Sequence, residues 1–459
     1  MFKFKRIAAA ACCVALAVSA FCGCTAKKTS TGDVSEITIW SQNAHSKTVY
    51  EKLIGEFNET IGKEKGIKIN YLVKEGDTMS QNVELALQNG TLPEMFSSGA
   101  VASLAEKGAI MALDDLPGGD KLIEKYKDSI VEKVNSYEGK TYSIPTSATT
   151  QALVYNKQMF IDAGIVDENG NPTPPETFEE LREYAKKLTN AKKRQYGIVI
   201  PLKWSGLFSN DIIDSMMASA GNTGFNPVTG EFDYTKLAPI MQCYVDMKND
   251  GSIFPGADGM DNDQARAYFS NGNIGMKFAY GYDVGVYNDQ FPAKIEWGVA
   301  PIPVLDKNES YKQRLRCGHS FYVSSTATEK IPAEKIMEVL NFFDSDEFVT
   351  ELYKAGVSAP LNWSVVENVE LENPKKGWKE FCELVKISQL PPRIPETDMT
   401  GQVALKDRFL NEIWTGKAKS DEIVAEYNPI INAAMDRYYE THPNEDKTVF
   451  TDESWYAER

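Results

Sequence analysis

The chain has 459 residues, a formal net charge of −16, and 42% hydrophobic and 25% charged residues. That balance is the composition of a well-cored globular protein, and its acidity disfavours nucleic acid and anionic membrane surfaces as partners. The roughly 425 residues from Ser35 onward exceed what one core usually serves, so two domains are expected.

The N-terminus reads as an export signal. Lys3, Lys5 and Arg6 form a positive n-region, and Ile7 to Phe21 is an apolar run of fifteen residues. That length suits a signal-peptide h-region and is short for a membrane-spanning helix. The run ends in Phe21-Cys22-Gly23-Cys24, which resembles a lipobox with Cys24 as the lipid-modified residue. Phe21 stands where Leu is more usual, and an ordinary secretory signal is the alternative. Removing residues 1–23 takes the net charge from −16 to −19 through loss of Lys3, Lys5 and Arg6. Residues 24–34 are small and polar, as a tether would be, and a lipid at Cys24 rather than a basic patch would hold the protein at a membrane. Beyond Cys24 only Cys243, Cys317 and Cys382 remain. They are too few and scattered for a disulfide framework or a zinc site. Buried free thiols are expected, with one disulfide as the alternative.

From Glu36 strands and helices alternate. Ile37 to Trp40 reads as a strand, and Val49, Tyr50, Leu53, Ile54 and Phe57 form a helical apolar face. Ile67, Ile69 and Tyr71 alternate as the next strand, a helix follows near Met79 to Gln88, and Leu92 to Phe96 reads as a third strand before Ser97-Ser98-Gly99. This succession predicts an α/β domain with a largely parallel sheet. Ligands of such sheets sit beyond the carboxyl ends of strands, which singles out the loops after Trp40 and after Phe96.

The stretch from Gly139 to Leu188 is the most distinctive. Pro145 prevents the segment around Tyr142 and Ile144 from continuing as a central strand, and Ala152 to Tyr155 is a short apolar run suited to a buried strand. Thr177 with Glu180 matches a capping box, and Phe178, Leu181, Ala185 and Leu188 then line one helical face. The order G-K-x-Y-x-I-P, Y-N-K-x-x-F-x-x-A-G and P-P-x-T-(aromatic)-x-E-L resembles the hallmark segment of bacterial extracellular solute-binding proteins of family 1, the maltose-binding-protein-like class that serves sugar ABC importers. Phe269 to Met276 resembles the family's F-x-x-G-x-x-x-M signature. Ile295 to Pro303 and Cys317 to Ser324 resemble its next two strands, and Gly356 to Pro360 and Leu390 to Pro395 its late landmarks.

No catalytic signature competes with that resemblance. His45, His319 and His442 are the three histidines, with no H-E-x-x-H, nucleophile elbow, P-loop or G-x-G-x-x-G. The acids Asp258, Asp261 and Asp263, and the run Asp167 to Asn171, lack EF-hand spacing and read as solvated loops and turns. No metal or cofactor is expected, although a pair of carboxylates could still serve a glycosidase.

Aromatic and short polar side chains at loop positions suit a sugar, whose rings present apolar faces and a rim of hydroxyls. Trp40, Gln42, Asn43 and His45 follow the first strand, and Ser98 follows the third. Trp204 and Ser205 lie where the resemblance places aromatic and polar sugar contacts. Tyr280, Tyr282 and Asp283 follow a strand after which the family stacks an aromatic on sugar, and His319 falls at a later crossing strand. Trp363 and Arg393 complete the candidates. Competing structural roles are a strand-end core position for Trp40, a surface position for His45, helix packing for Trp363 and a structural contact for Arg393. Phe342, Phe343 and Phe348 read as core.

The resemblance implies a two-lobed, type II periplasmic-binding-protein-like α/β fold, each lobe a mostly parallel sheet flanked by helices and joined by hinge crossings. Lobe one would take residues 35–147 and 318–345, and lobe two residues 148–317 and 346–459. It implies a lipid-anchored monomer on the extracellular face of the cell membrane. That protein would bind a carbohydrate, an oligosaccharide by its spread of aromatics, and deliver it to ABC transporter permease subunits by hinge closure. The alternatives are the same fold binding another small solute, and a surface lipoprotein acting on glycans or in adhesion. A phosphate-bearing solute is disfavoured because the candidate residues include no cluster of Arg and Lys.

Overall fold

The computed structural model describes residues 34–74, 76–204, 206–318 and 320–458. The signal peptide expected over 1–23, Cys24, the tether as far as residue 33, and the site candidates Ser205 and His319 lie outside them. No helix among the described residues is long and apolar enough to cross a membrane.

Strands β1 (Ser35–Ser41), β2 (Ile67–Val73), β3 (Met95–Phe96) and β4 (Ile110–Met111) come first in the chain. After Pro145 follow β5 (Ser147–Thr149), β6 (Gln151–Asn156), β7 (Tyr196–Ile198), β8 (Ile274–Tyr280), β9 (Trp297–Ala300), β10 (Arg316–Gly318), β11 (Tyr322–Ser324) and β12 (Ala359–Pro360). One sheet runs β2-β1-β3-β11-β4, a second β9-β6-β8-β7, and a three-stranded element β10-β5-β12 has β5 and β10 where the chain passes from one sheet to the other. The helices that matter most are α1 (Lys47–Glu59), α2 (Phe178–Leu188), α3 (Asn262–Ser270), α4 (Ala333–Asp344) and α5 (Asp346–Lys354).

The strand directions depart in part from the parallel expectation. β1 is parallel to β2 and β3, and β8 to β7, but β11 runs against β3 and β4, and β6 runs against both β8 and β9. The reversed strands share a history: β6 follows crossing strand β5, and β11 follows crossing strand β10. Parallel neighbours need a long crossover that returns the chain to the same edge. A strand arriving from a crossing enters at the opposite edge and so runs the other way.

Each sheet has its own apolar core. Ile37 and Ile39 of β1 pack with Leu53, Ile54 and Phe57 of α1, and with Phe343 of α4 and Phe348 and Leu352 of α5. The second sheet buries Leu153 and Tyr155 with Phe178 and Leu181 of α2 on one side, and Val154 with Phe269 of α3 and Phe381 on the other. The start of α2 follows the expected cap: Thr177 Oγ1 accepts the Glu180 N–H at 3.1 Å. The reciprocal half moves one residue outward, since the Glu180 carboxylate accepts from the Glu176 N–H at 2.8 Å. Phe178, Leu181, Ala185 and Leu188 are all buried. Cys243, Cys317 and Cys382 are free thiols, and Cys243 and Cys382 are buried.

Candidate functional site

The second sheet ends in an aromatic column. In the antiparallel β6–β8 pair, Gln151 lies opposite Tyr280 at the sheet's rim. There the chain turns at Gly281, whose N–H donates to Thr149 Oγ1 of β5 at 3.1 Å. The turn is locked by Asp283, which accepts the Tyr280 N–H at 2.9 Å. Tyr282 is thereby laid on Tyr280, with ring centroids 5.2 Å apart and planes 15° apart. The other face of the column is supplied from the first sheet, where His45, on the loop after β1, stacks on Tyr282 at 5.8 Å and 3°. Gln290 Nε2 sits 3.3 Å from His45 Nδ1. Arg316 of β10 continues the column, its guanidinium 5.4 Å from the Tyr280 ring centroid and Nη1 donating to the Tyr280 hydroxyl at 3.3 Å.

A charged layer lies beneath the rings. Asp283 is fully buried and pairs with Arg266 of α3 at 2.5 Å, and Arg266 also bonds Asp263 at 2.7 Å. Burial would raise the Asp283 pKa, but Arg266, Lys277 and the Tyr280 N–H overcome it and hold this carboxyl below its ordinary value. Asp211, Asp214 and Ser215 lie on a π-helix, Leu207–Met216. Its widened turn is visible where the Met217 N–H reaches the Ile212 carbonyl, five residues back, at 3.2 Å. Such segments recur at functional sites because they re-aim side chains within a helix. Burial pushes the Asp211 carboxyl up to about 7, against the pull of Lys277 and the Tyr280 hydroxyl. Burial also lowers the Lys277 ammonium to about 8, against the pull of Asp283. Asp214 pairs with Arg314 at 2.6 Å. Burial and the nearby Arg266 charge lower the His45 pKa, which favours the neutral imidazole that stacks on Tyr282.

The fold therefore gathers Arg266, Lys277, Arg314 and Arg316, a basic set that the sequence candidates lacked. Asp211, Asp214 and Asp283 offset it, so the layer is a mixed polar floor rather than an anion cradle. Where the crossing strands meet the first core, Asn43, Tyr50, Thr146, Ser147, Ser320 and Ser358 help line a cavity of about 30 Å³. That volume holds a few water molecules and no sugar ring.

The other candidates are placed as follows. Trp40 is half-buried beside the core of Phe96 and Tyr322, with Lys74 Nζ 4.7 Å from a ring centroid. The Gln42 N–H donates to Ser97 Oγ at 3.0 Å, and the Asn43 N–H to Ser41 Oγ at 3.1 Å. Ser98 is buried, with its hydroxyl 3.0 Å from that of Ser80. Trp204 packs half-buried against the second sheet's core and borders an apolar recess with Leu207, Phe208, Phe409 and Leu410. Trp363 meets Tyr353 edge-on at 6.2 Å with Lys386 over its ring, and Arg393 donates to the Val449 carbonyl at 2.8 Å and covers Phe450. Of the candidates, the described contacts bring together His45, Tyr280, Tyr282 and Asp283. The acids read as loops have structural duties: Asp261 caps α3 in a capping box with Gln264, Asp258 accepts from Trp414 Nε1 at 2.6 Å, and Asp167 closes its own turn on the Asn171 N–H at 2.8 Å.

Sequence reasoning passed over Gln151, Asp211, Arg266, Lys277 and Arg316. A signal was available for two of them. Lys277 interrupts the apolar strand IGMKFAY, and Asp211 directly precedes the apolar pair Ile212 and Ile213. A charge inside such a run must be paired or functional, because isolated burial is costly.

The family described as bacterial extracellular solute-binding protein matches residues 43–349. An arabinooligosaccharide-binding protein of Bacillus subtilis is 24% identical over 77% of this chain and 80% of its own length. A maltotriose-binding protein of Pyrococcus abyssi is 25% identical over 72% of this chain and 67% of its own. Among solved structures, the GacH receptor of Streptomyces glaucescens, determined unliganded and with acarbose, superposes with a TM-score of 0.67 at 18% identity, covering 87% of this chain and 98% of that one. At that identity the likeness is one of fold: a maltose-binding-protein-like architecture.

Proposed function

The chain belongs to the bacterial extracellular solute-binding protein family, and we propose that it captures a neutral oligosaccharide outside the cell and delivers it to an ABC importer. The observation that carries this reading is the column of His45, Tyr282, Tyr280 and Arg316, drawn from both sheets over a charge-balanced polar floor. Flat rings suit the apolar faces of sugars, and short polar groups suit their hydroxyls. The pairing of Arg266 with Asp283 and of Arg314 with Asp214 favours a neutral ligand over a phosphate ester.

The lobes proposed are residues 35–147 with 318–345, and 148–317 with 346–459, the packing of α5 on the first core tying its sequence to both. Crossings at β5, β10 and β12 serve as the hinge. Opening lifts His45 from Tyr282 and admits a sugar. Closure then buries the sugar between the lobes, and the importer's permease subunits recognise the closed form. The ligand biases closure only by its preference for that state. The protein acts as a monomer and performs no turnover. Cys24 carries a lipid that holds it on the extracellular face of the membrane, with residues 24–34 as tether.

Calorimetry with arabinotriose and maltotriose tests the ligand class. Binding is expected, with the sugar recovered intact by chromatography; cleaved product would make the protein an enzyme, and no heat with either sugar would refute the oligosaccharide reading. Cys24→Ala is expected to move the protein from the membrane fraction to the medium. Retention on the membrane would refute anchoring through Cys24.

A further inference from the structure

Beneath the column lies a second layer of polar groups, some of whose atoms have no hydrogen-bond partner among the described residues. The Gln151 side chain is 0% exposed, and neither its Nε2 nor its Oε1 has a hydrogen-bond partner among the described residues. Its backbone carbonyl, in contrast, accepts from Gln313 Nε2 at 2.7 Å. Asp211 is 3% exposed, and its Oδ1 is likewise unpartnered. The two are linked through Tyr280. Gln151 lies directly opposite Tyr280 in the β6–β8 register, so both side chains emerge on the same face, Cβ atoms about 4.5–5.5 Å apart. The Tyr280 hydroxyl in turn acts on the Asp211 carboxylate and lies 3.3 Å from Ser215 Oγ.

A buried primary amide with both ends idle is costly, and replacing it by an apolar residue of similar volume would remove that cost. Nothing in local structure calls for glutamine there. β6 is otherwise an apolar strand up to Asn156. A polar residue retained against that preference fits a partner from outside the chain. The amide offers two N–H donors and one acceptor, and the carboxylate offers a strong acceptor. This is the complement of a sugar carbon pair bearing adjacent hydroxyls, each hydroxyl both donating and accepting.

We propose that Gln151 and Asp211 form a specificity-determining subsite, below the Tyr280–Tyr282 platform, for vicinal hydroxyls at one end of a neutral oligosaccharide. The assignment rests on the oligosaccharide reading above and adds to it the residues that select the sugar's hydroxyl pattern. It also gives the first crossing a role in ligand choice, since Gln151 directly follows β5 and the crossing residue Thr150.

The test uses the full soluble body and two variants, Gln151→Leu and Asp211→Asn, with the arabinotriose or maltotriose that the wild type binds. Gln151→Leu is expected to weaken sugar binding at least tenfold while raising the Tm of the unliganded protein. Asp211→Asn is expected to weaken binding by a similar factor while leaving the near-ultraviolet circular dichroism unchanged. An analogue of the sugar lacking one terminal hydroxyl should bind the wild type more weakly and lose little further affinity in Gln151→Leu. Undiminished affinity in both variants overturns the subsite. So does a Gln151→Leu protein of lower Tm and unchanged affinity, which makes the amide a purely structural group. If the wild type binds neither sugar, the oligosaccharide reading fails and the subsite falls with it, an outcome distinct from wild-type binding that the variants leave intact.

Discussion

Tyr282→Ala is expected to weaken oligosaccharide binding at least thirtyfold, a loss of about 2 kcal/mol, with little change in the Tm of the free protein. Tyr282 is half-buried, and its ring sits between Tyr280 on one side and His45 on the other. In the proposed opening it is the platform that parting of the two sheets would expose. Truncation removes one aromatic stack of about 0.5–1.5 kcal/mol together with the apolar area a sugar ring would cover. Tyr282→Phe keeps the ring face and is expected to bind within a few fold of the wild type. Calorimetry on the two variants decides the matter. Equal loss in both would assign the role to the hydroxyl, and no loss in either would remove Tyr282 from the site.

Arg266→Met is expected to lower stability by about 3–5 kcal/mol near neutral pH, because it leaves the Asp283 charge buried and unpaired. Arg266 and Asp283 have side chains only 7% and 1% exposed and meet at 2.5 Å. The pH dependence follows from the lowered Asp283 pKa. A carboxyl held below its unfolded value contributes stability above that unfolded value and loses it as pH falls through the folded one. Arg266→Met removes the largest of these pulls and leaves only Lys277, the Tyr280 N–H and His45 to oppose burial. The deficit against the wild type is therefore largest at pH 6–8 and shrinks below about pH 4. Urea unfolding at pH 7 and pH 3.5 measures it; a deficit that stays constant across this range would deny the ion pair its part. Asp283 also holds the Tyr280 N–H, so sugar affinity should fall as well. The double variant Arg266→Met, Asp283→Asn should recover part of the stability, since it removes the uncompensated Asp283 carboxylate.

These two residues show how legibility divides. Tyr282 was readable because it follows an apolar strand and a glycine, a local pattern in a chain segment that also carries the family signature. Arg266 was not, because α3 presents it as one more polar position, and only the fold reveals that it faces Asp283. Trp204 carries a more ambiguous local pattern. A tryptophan beside a serine and a glycine reads as a loop platform, but Leu202, Leu207 and Phe208 around it are equally the residues of a core, and the fold packs it half-buried among them. Strand direction was similarly out of reach for β6 and β11. Their composition is that of any buried strand, and what reverses them is their entry from a crossing.

What the sequence alone determined is therefore what short-range order encodes. The alternation of strands and helices, the capped helix at Thr177, the break at Pro145 and the ordered signatures from Gly139 to Leu188 together identify the family and its fold. What only the tertiary structure decided is which residues come together at the candidate site. His45 reaches Gln290 across 245 positions of chain, and the Gln151–Tyr280 register and the Arg266–Asp283 pair join residues from separate elements. Stacking, charge neutralisation and the desolvation of polar groups depend on distance through space. No spacing along the chain carries that information until the chain has folded.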